Sequence, residues 1–215
     1  MINHILFDLD CTLYSVRYGL EENVSRLIKE FVSSWLKLPV EESELLRREA
    51  LKRYGTTMEW LVSEKGFTAI AEYQAFIHPA DEADSLPPDP ALRSFLESLP
   101  YPCSILTNSP GFHAHRIIKK LGLEGIFRRV FAIEDNNFKG KPHESAFRRA
   151  LDALGMKPEE VLFIDDTVRY VEGFLAMGGR GILFDELDAC ADYPHARVKD
   201  IKEIVRFLDQ RLPGA

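Results

Sequence analysis

Two short stretches of the chain consist only of apolar residues, and each is followed directly by an acidic residue. The first covers residues 5–7 and is followed by Asp8, and the second covers residues 161–164 and is followed by Asp165. Apolar runs without alternation are typical of strands buried on both faces of a parallel sheet. We therefore predict two buried strands that each end in a carboxylate.

Between these runs, residues 15–86 follow a helical pattern. Their apolar positions recur at intervals of three and four residues, which is the period of an amphipathic helix. The spacing predicts helices over residues 24–36 and 41–54, and two shorter helices near residues 57–62 and 70–77. No strand is expected in this stretch.

Pro87, Pro88 and Pro90 end the helical stretch, because each proline restricts its own backbone and that of its predecessor. Beyond them, stretches with the period of a helix alternate with short apolar stretches typical of strands. The pattern predicts helices near residues 90–98, 111–121, 143–154 and 168–177, strands near 103–107, 129–133, 161–165 and 181–184, and a final helix through Val198, Ile201, Ile204, Val205 and Leu208. Such alternation is typical of an α/β fold with a Rossmann-like parallel sheet, here of about five strands, joined by right-handed crossovers.

The length of one connection indicates a separate domain. A parallel crossover needs about a dozen residues, but about ninety lie between Asp10 and Cys103. We predict that residues 15–86 form an inserted α-helical bundle, a cap over the carboxyl edge of the sheet, and that residues 1–14 and 87–215 form the core domain. A cap in this position would exclude water and select substrates.

Composition and charge narrow the choice of partners. The 215 residues are 46% hydrophobic and 28% charged, which is ordinary for a soluble globular protein, and the net charge of -7 argues against a nucleic acid polymer as partner. No apolar segment approaches the ~18 residues of a membrane span, and the N-terminus lacks the pattern of a signal peptide. Three cysteines without a C-x-x-C spacing indicate neither a disulfide framework nor a zinc site. We expect a cytoplasmic protein with no membrane partner.

Acidic residues follow both predicted strands, at the edge where the ligands of parallel sheets gather. Asp8 and Asp10 point to the same side of the chain, since strand side chains alternate, and they repel each other unless a cation or a shared proton intervenes. Taken alone, a D-x-D sequence is more often an acidic loop. If the two strands are neighbours, however, Asp165 and Asp166 converge on the same point and supply the oxygen ligands that Mg2+ prefers.

Other candidate residues follow the remaining strands. Thr107 and Asn108 precede a helix start, whose free N–H groups suit a phosphate, although such residues also serve as ordinary helix caps. Lys141 and Pro142 lie in the next long loop, where a solvated basic turn is the alternative interpretation. A receiver-like phosphoacceptor domain also combines acids, a hydroxyl and a lysine, but it needs no helical cap of this length.

Taken in order, these residues resemble the four motifs of the haloacid dehalogenase superfamily of phosphotransferases, subfamily I. The motifs are Asp8-x-Asp10-x-Thr12, Thr107 with Asn108, Lys141 with Pro142, and Asp165 with Asp166. The resemblance covers the whole chain, because the helical insertion is similar to the type 1 cap. It implies a core with the strand order 5-4-1-2-3, in which the first and fourth strands are neighbours.

A closer resemblance is to the pyrimidine 5'-nucleotidase-like branch. It rests on a series of short stretches: Phe7-Asp8-Leu9-Asp10, Thr12-Leu13-Tyr14, Gly19-Leu20, Tyr54-Gly55-Thr56-Thr57, Pro88-Asp89-Pro90 with Leu92, Thr107-Asn108-Ser109, and His113-Ala114 with Arg116 and Leu121-Gly122-Leu123. Three positions depart from the branch. Cys11 stands where Asn is usual, Ser15 where a proline often follows the tyrosine, and Tyr170 where Asp or Asn usually follows the acids of the fourth motif.

The resemblance implies a role for each motif residue. Asp8 would attack phosphorus and form an aspartyl-phosphate, while Asp10 would protonate the leaving oxygen and then accept a proton from water. Family members with dehalogenase activity lack this second acid, so its presence favours phosphate esters. Thr107 and Lys141 would hold the phosphoryl oxygens, with Asn108 orienting the nucleophile or the phosphate.

The resemblance also implies a Mg2+ site formed by Asp8, the backbone carbonyl of Asp10, Asp166 as a direct ligand and Asp165 as a supporting or water-mediated one. Tyr54 in the cap is a candidate for contacts with the substrate. We expect a Mg2+-dependent phosphatase of nucleoside 5'-monophosphates, with pyrimidine nucleotides as the first candidates, acting as a monomer or homodimer. A sugar phosphate or phosphoglycolate is the alternative substrate, and a non-catalytic phospho-ligand sensor is the alternative of another class.

Overall fold

Strand β1, His4–Phe7, lies inside a parallel sheet of six strands. The computed structural model describes residues 1–208. The other strands are β2 Cys103–Leu106, β3 Val130–Phe131, β4 Val161–Asp165, β5 Arg180–Phe184 and β6 Arg197–Val198, in the order β3-β2-β1-β4-β5-β6. The first and fourth strands are therefore neighbours, and both end at the same edge.

Both faces of the two neighbouring strands are covered, which explains their unbroken apolar sequence. All residues of β1 and β4 are buried, and Ile5 pairs with Leu162. Ile5 and Phe7 belong to the apolar cluster on one face of the sheet, whereas Leu6 packs with Phe147 on the other. Alternate side chains are thus buried on opposite faces, and the polar residues that follow emerge at the edge.

Eight α-helices accompany the sheet within residues 1–208. Four of them follow β1 directly: α1 Leu20–Leu36, α2 Val40–Ala50, α3 Thr57–Lys65 and α4 Ile70–Ile77. Each of the other four precedes one strand: α5 Pro90–Ser98, α6 Gly111–Lys120, α7 Glu144–Leu154 and α8 Val168–Ala176. Short 3-10 helices cover Val16–Tyr18, Ile133–Asn136, Pro158–Glu160 and Ile201–Phe207. In the part of the chain described, no helix has both the length and the apolar character to cross a membrane.

The four helices after β1 share an apolar cluster that is largely their own. Its buried members include Val32, Trp60, Leu61, Phe67 and Tyr73. This cluster supports our proposal that residues 15–86 form a cap domain, with residues 1–14 and 87–215 as the core domain. Positions 209–215 of the proposed core lie outside the described residues.

The structure confirms the predicted α/β fold and corrects the end of the chain. Counted from β5, the predicted order 5-4-1-2-3 is observed, and β6 adds a sixth strand beyond β5. The predicted final helix through Val198 to Leu208 is wrong, because Arg197–Val198 forms β6 and Ile201–Phe207 is a 3-10 helix. Apolar spacing alone matched a helix there, but the backbone of Val198 pairs with Phe184 instead.

Candidate active site

The Lys141 ammonium lies buried between two carboxylates that end neighbouring strands. Its Nζ atom is 2.6 Å from Oδ1 of Asp8, directly after β1, and 2.5 Å from Oδ2 of Asp165, at the end of β4. The side chains of Lys141 and Asp165 are 1% and 0% exposed. Charges this deeply buried are retained only with partners, so the three residues form one electrostatic unit.

Burial and mutual repulsion act on the carboxyl groups of this unit. Burial raises the pKa of Asp8, the Lys141 ammonium opposes the rise, and the Asp165 charge adds to it. Burial likewise raises the pKa of Asp165 against the same ammonium. For Lys141, burial would lower the pKa, but the two carboxylates raise it above its ordinary value. One ammonium therefore leaves an excess of negative charge that favours a further cation.

The backbone of Lys141 is fixed by Asn108, which follows β2. The Lys141 N–H donates to Oδ1 of Asn108 at 2.7 Å, and Nδ2 of Asn108 donates to the Lys141 carbonyl at 3.0 Å. A Cβ atom on the preceding residue, Gly140, would lie 2.4 Å from Oδ1 of Asn108. The motif predicts that Asn108 orients the nucleophile or the phosphate, and the structure places both ends of its amide against the Lys141 backbone.

Two aromatic rings face the same ammonium. The Nζ atom of Lys141 lies 5.4 Å from the centre of the Phe163 ring and 5.2 Å from that of Tyr170, within the range of a cation–π interaction. Tyr170 occupies the position where the nucleotidase branch usually has Asp or Asn. Its ring attracts the ammonium, whereas a carboxylate there would add another negative charge to the site.

Three carboxylates form a candidate metal centre at this edge. One oxygen from each of Asp8, Asp165 and Asp166 lies within 4.8 Å of the others. Both oxygens of Asp165 are engaged, by Lys141 and by the Thr167 N–H at 2.8 Å, whereas Asp166 is exposed and lines a cavity. The three carboxylates offer only oxygen ligands, and together they carry more negative charge than the Lys141 ammonium balances. It therefore fits a hard divalent cation such as Mg2+.

Asp10 lies in different surroundings from Asp8. Its Oδ1 accepts hydrogen bonds from the Tyr14 hydroxyl and from Nε2 of His113, both at 2.7 Å, and its Oδ2 accepts one from the Ser109 hydroxyl at 2.7 Å. Burial alone would raise the pKa of Asp10, but the charge and hydrogen bond of His113 hold it well below its usual range. The two acids of the D-x-D sequence thus have pKa values shifted in opposite directions.

Threonine hydroxyls lie beside both acids. The Thr107 hydroxyl, at the end of β2, is 3.4 Å from Oδ2 of Asp10 and accepts a hydrogen bond from the Ser109 N–H at 3.0 Å. The Thr12 hydroxyl donates to Oδ2 of Asp8 at 3.3 Å. The sheet edge therefore brings the hydroxyl of the second motif to the acids of the first.

A second buried acid holds the other side of the His113 ring. Nδ1 of His113 is 2.7 Å from Oε1 of Glu82, and these side chains are 1% and 2% exposed. Glu82 also accepts a hydrogen bond from Nδ1 of His78 at 2.8 Å and contacts the Arg116 guanidinium. Burial would lower the pKa of His113, but Asp10 and Glu82 raise it to about 10. The two carboxylates therefore favour the protonated form of the His113 ring.

His113 and Glu82 were not predicted from the sequence as residues of this site. Residues two apart on a helix face different ways, which excludes a metal shared by His113 and His115 but says nothing of His113 alone. A signal was available, since His113 and Arg116 both belong to the stretches that resemble the nucleotidase branch and lie three apart on one face of α6. Glu82 lies between α4 and α5, where no periodic pattern places it.

The site opens into a cavity of about 370 Å³ between the sheet edge and the segment 15–86. The sheet edge contributes most of the predicted site residues: Asp8, Asp10, Thr107, Asn108, Lys141 and Asp166. The segment 15–86 contributes apolar and polar residues in equal number, together with Gly55: Val24, Ile28, Leu51, Met58, Tyr73 and Ile77, and Glu21, Arg47, Thr56, Thr57, Gln74 and His78. The cavity therefore joins the acidic site to a wall of mixed apolar and polar character.

Of the predicted site residues, all within the described part of the chain, Asp165 and Tyr54 do not line this cavity. Asp165 is fully buried behind the Lys141 ammonium. The Tyr54 hydroxyl lies 3.4 Å from Oε2 of Glu64, and its ring faces the Arg53 guanidinium at 5.5 Å. The three residues that follow Tyr54 reach the cavity instead.

A sequence model of the haloacid dehalogenase-like hydrolases matches residues 2–178, a range that contains all four motifs. The chain belongs to this hydrolase family. Membership in the haloacid dehalogenase-like hydrolases confirms the superfamily that the order of the motifs predicts.

The chain is also similar to individual relatives and solved structures. A glyceraldehyde 3-phosphate phosphatase from Methanopyrus kandleri is 27% identical over 181 residues, which cover 78% of this chain and 77% of the relative. The glyceraldehyde 3-phosphate phosphatase of Methanocaldococcus jannaschii is 24% identical over 178 residues, 78% of each chain. A crystal structure of a HAD phosphatase from Thermococcus onnurineus has a TM-score of 0.65 and 18% identity, covering 97% of this chain and 98% of the other. This likeness shows a shared fold.

Proposed function

We propose that this chain is a Mg2+-dependent phosphatase that hydrolyses phosphate monoesters through a covalent aspartyl-phosphate. The observation that carries the proposal is the contrast between the two acids of the D-x-D sequence. Asp8 lies against the Lys141 ammonium and the candidate metal centre, Asp10 lies against hydroxyls and His113, and both acids line one cavity. Paired carboxyls in contrasting surroundings are suited to different roles in one reaction.

Asp8 would carry out the first step. One of its carboxylate oxygens forms a bond to phosphorus while the bond from phosphorus to the ester oxygen breaks, which leaves an aspartyl-phosphate. Oδ1 of Asp8 is held by Lys141 at 2.6 Å, whereas Oδ2 accepts a longer hydrogen bond of 3.3 Å from Thr12. Oδ2 is therefore the less restrained oxygen. The Lys141 ammonium and the Thr107 hydroxyl would stabilise charge on the phosphoryl oxygens.

Asp10 would move the proton. In the first step its carboxyl group protonates the departing ester oxygen, with a proton that enters with the monoanion of the phosphate ester, whose second pKa is about 6. In the second step its carboxylate accepts a proton from the water that hydrolyses the aspartyl-phosphate, which releases phosphate and restores Asp8. Without substrate, His113 keeps Asp10 ionised, which is the form that the second step requires.

The residues at the sheet edge would hold the metal ion. Asp8 and Asp166 would supply carboxylate oxygens, Asp10 its backbone carbonyl, and Asp165 a supporting or water-mediated contact. When bound, Mg2+ neutralises charge that accumulates between a phosphate ester and the acidic cluster. Lys141 restrains Asp8 through Oδ1 and adds a positive charge of its own.

Nucleoside 5'-monophosphates, pyrimidine ones first, are the proposed substrates. The resemblance to the nucleotidase branch supports them, and so does the cavity of about 370 Å³. Its wall combines apolar side chains such as Val24, Ile28 and Met58 with the polar groups of Arg47 and Gln74. Small-molecule sites bind flat rings through apolar contact and take their specificity from a few placed polar groups.

A short sugar phosphate is the second candidate. The two relatives from Methanopyrus kandleri and Methanocaldococcus jannaschii are named glyceraldehyde 3-phosphate phosphatases, and phosphoglycolate is an ester of similar size. A ligand this small would leave much of the cavity of about 370 Å³ unfilled. The nucleotide therefore stays the first candidate.

A panel of phosphate monoesters tests the proposal. UMP, CMP, AMP, glyceraldehyde 3-phosphate and phosphoglycolate would be compared by kcat/KM, with Mg2+ and with a chelator. We expect the highest kcat/KM for UMP or CMP, loss of phosphate release on chelation, and loss of turnover in Asp8→Asn. Asp152→Asn, at an exposed position of α7, is the matched control and should keep full activity.

Each other outcome of the panel has a definite meaning. Preference for glyceraldehyde 3-phosphate or phosphoglycolate would support the second candidate and overturn the first. A fully active Asp8→Asn protein would contradict the aspartyl-phosphate. Binding of these esters without turnover would instead support a non-catalytic phospho-ligand sensor.

A further inference from the structure

We propose that His113 and Glu82 are a positioning pair that fixes the orientation of the Asp10 carboxylate for proton transfer to and from the substrate. The pair rests on the proposed function, since it serves the general acid of that reaction. Neither residue has to touch the reacting atoms, because both act through Asp10.

The His113 ring is held at both of its nitrogens. Nε2 is 2.7 Å from Oδ1 of Asp10, and Nδ1 is 2.7 Å from Oε1 of Glu82. A ring bonded on opposite sides cannot turn without losing one of these bonds, and a side chain that is 1% exposed has little space to turn into. An imidazole that donates through both nitrogens carries a proton on each. Asp10 therefore faces a fixed cationic donor rather than water.

Two hydroxyls restrict the same carboxylate from other directions. The Tyr14 hydroxyl donates to Oδ1 of Asp10 at 2.7 Å, and the Ser109 hydroxyl donates to Oδ2 at 2.7 Å. Rotation of the carboxylate would break at least one of the bonds from Tyr14, Ser109 and His113. A general acid has to lie within hydrogen-bond reach of the oxygen that it protonates, so a fixed orientation favours the transfer.

Glu82 is anchored near the end of the segment 15–86. Its Oε2 accepts a hydrogen bond from Nδ1 of His78 at 2.8 Å. The Arg116 guanidinium contacts Oε1 of Glu82 and donates to the carbonyl of Pro79 at 2.8 Å. These contacts connect the chain between α4 and α5 to helix α6. The orientation of Asp10 thus depends on residues behind the cavity wall as well as on its own loop.

A cation site is the other chemistry that these side chains suggest, because ligand atoms of His78, Glu82 and His113 lie within 4.8 Å of one another. The Arg116 guanidinium already contacts the Glu82 carboxylate there and would repel a metal ion. A metal on His113 would also replace a hydrogen bond that the ring makes to an acid. The contacts therefore favour a positioning role.

Two substitutions of His113 each keep one of its two hydrogen bonds and remove the other. The side-chain nitrogen of Gln reaches the place of Nε2 and keeps a donor for Asp10, whereas that of Asn reaches only the place of Nδ1 and keeps a donor for Glu82. The measurement compares kcat/KM for the best alkyl phosphate of the panel with kcat/KM for p-nitrophenyl phosphate. The alkoxide leaving group of the alkyl phosphate needs a proton, whereas the nitrophenolate leaving group of p-nitrophenyl phosphate does not. The ratio of the two values is independent of the fraction of folded protein.

We expect His113→Asn to lower kcat/KM by about 30-fold or more for the alkyl phosphate and by less than about 3-fold for p-nitrophenyl phosphate, given the usual scale of general acid catalysis. His113→Gln should recover most of the loss. Glu82→Gln should move the ratio in the same direction by less, because an amide oxygen still accepts the bond from His113. His115→Asn, an exposed position on the same helix, should leave both values unchanged.

Equal losses on the two substrates would overturn the positioning pair, because they would point to folding or to phosphate binding. An unchanged ratio in both His113→Asn and Glu82→Gln would overturn it as well. Absence of wild-type turnover on every ester would instead overturn the proposed function, and the pair with it.

Discussion

Asp8 and Asp10 both follow strand β1, but they have different charged partners. Asp8 lies 2.6 Å from the Lys141 ammonium, 133 positions along the chain, and Asp10 lies 2.7 Å from the His113 imidazole, 103 positions along the chain. Burial raises the pKa of Asp8, whereas in Asp10 the effect of burial is outweighed by the charge of His113. Strand β1 places the two acids next to each other, and residues from distant loops and helices shift their pKa values in opposite directions.

Replacing Lys141 by Met tests the buried ion pair. We expect the free energy of unfolding to fall by about 3–5 kcal/mol, because Asp8 and Asp165 then lack their buried ammonium. Chemical denaturation measures this loss. Added Mg2+ should recover more stability in Lys141→Met than in the wild type, since a cation at the carboxylates replaces the missing charge and binds the folded state alone.

Lys139→Met is the matched control for this experiment. Lys139 is exposed in the same loop, two positions before Lys141. Its replacement should change the free energy of unfolding by less than about 0.5 kcal/mol. A Lys141→Met protein as stable as this control would show that the buried pair makes no net contribution.

Much of this site could be predicted because strand ends in a parallel sheet are readable from sequence. β1 and β4 are apolar without alternation since both faces are buried, so their acids were expected at one edge of the sheet. That the two strands are neighbours was implied by the resemblance to the haloacid dehalogenase superfamily. The contact between His113 and Glu82 could not be predicted in this way. It joins a helix to a segment without periodicity, and only the packing of the whole chain brings them together.

The end of the chain shows a second reason why sequence patterns fail. Apolar residues recur every three positions at Val198, Ile201 and Ile204, as they would in a helix. Val198 nevertheless belongs to a strand of two residues. A strand this short carries too few residues to show alternation. Its pairing with β5 depends on the edge that β5 offers, which lies outside the local sequence.

Gly140→Ala tests whether Asn108 positions Lys141. The added Cβ would lie 2.4 Å from Oδ1 of Asn108, and that amide cannot turn away without losing its two bonds to the Lys141 backbone. We expect kcat/KM to fall by about 10-fold or more and the free energy of unfolding to fall by about 1–3 kcal/mol. Steady-state kinetics and denaturation measure the two effects.

Gly111→Ala serves as the comparison for Gly140→Ala. A Cβ atom at Gly111 would meet Ala132 at 3.7 Å, an ordinary contact. Its activity and stability should stay close to those of the wild type. If the two variants behave alike, the close approach of Gly140 to Asn108 has no effect on the site.

Buried His4 should make the fold sensitive to acid. Its side chain is fully buried, and neither ring nitrogen has a hydrogen-bond partner among the described residues. Burial, and then the charge of Arg128, lowers its pKa from 6.5 to about 4. As pH falls, the unfolded chain therefore binds a proton before the folded chain does. The contribution of His4 should lower the free energy of unfolding by up to about 3 kcal/mol between pH 6.5 and 4, and this contribution should level off below that window.

Denaturation across this pH range should be compared for the wild type, His4→Leu and His195→Leu. The difference between the first two curves isolates His4 from the carboxyl groups, which titrate in both proteins. His195 is exposed, so its replacement should leave the slope of the wild type unchanged. Parallel curves for the wild type and His4→Leu would contradict the prediction.

The backbone of Cys11 predicts a stabilising substitution. Cys11 has a φ of 58°, in the left-handed region that a side chain disfavours. Asn tolerates this region better than most residues, and Asn is also the usual residue here in the branch that the chain resembles. Cys11→Asn should raise the free energy of unfolding by up to about 1 kcal/mol. Cys11→Ala removes the thiol but keeps a Cβ in the same conformation, so it should give no such gain. An equal gain in both variants would mean that the thiol, and not the backbone, is the source of the cost.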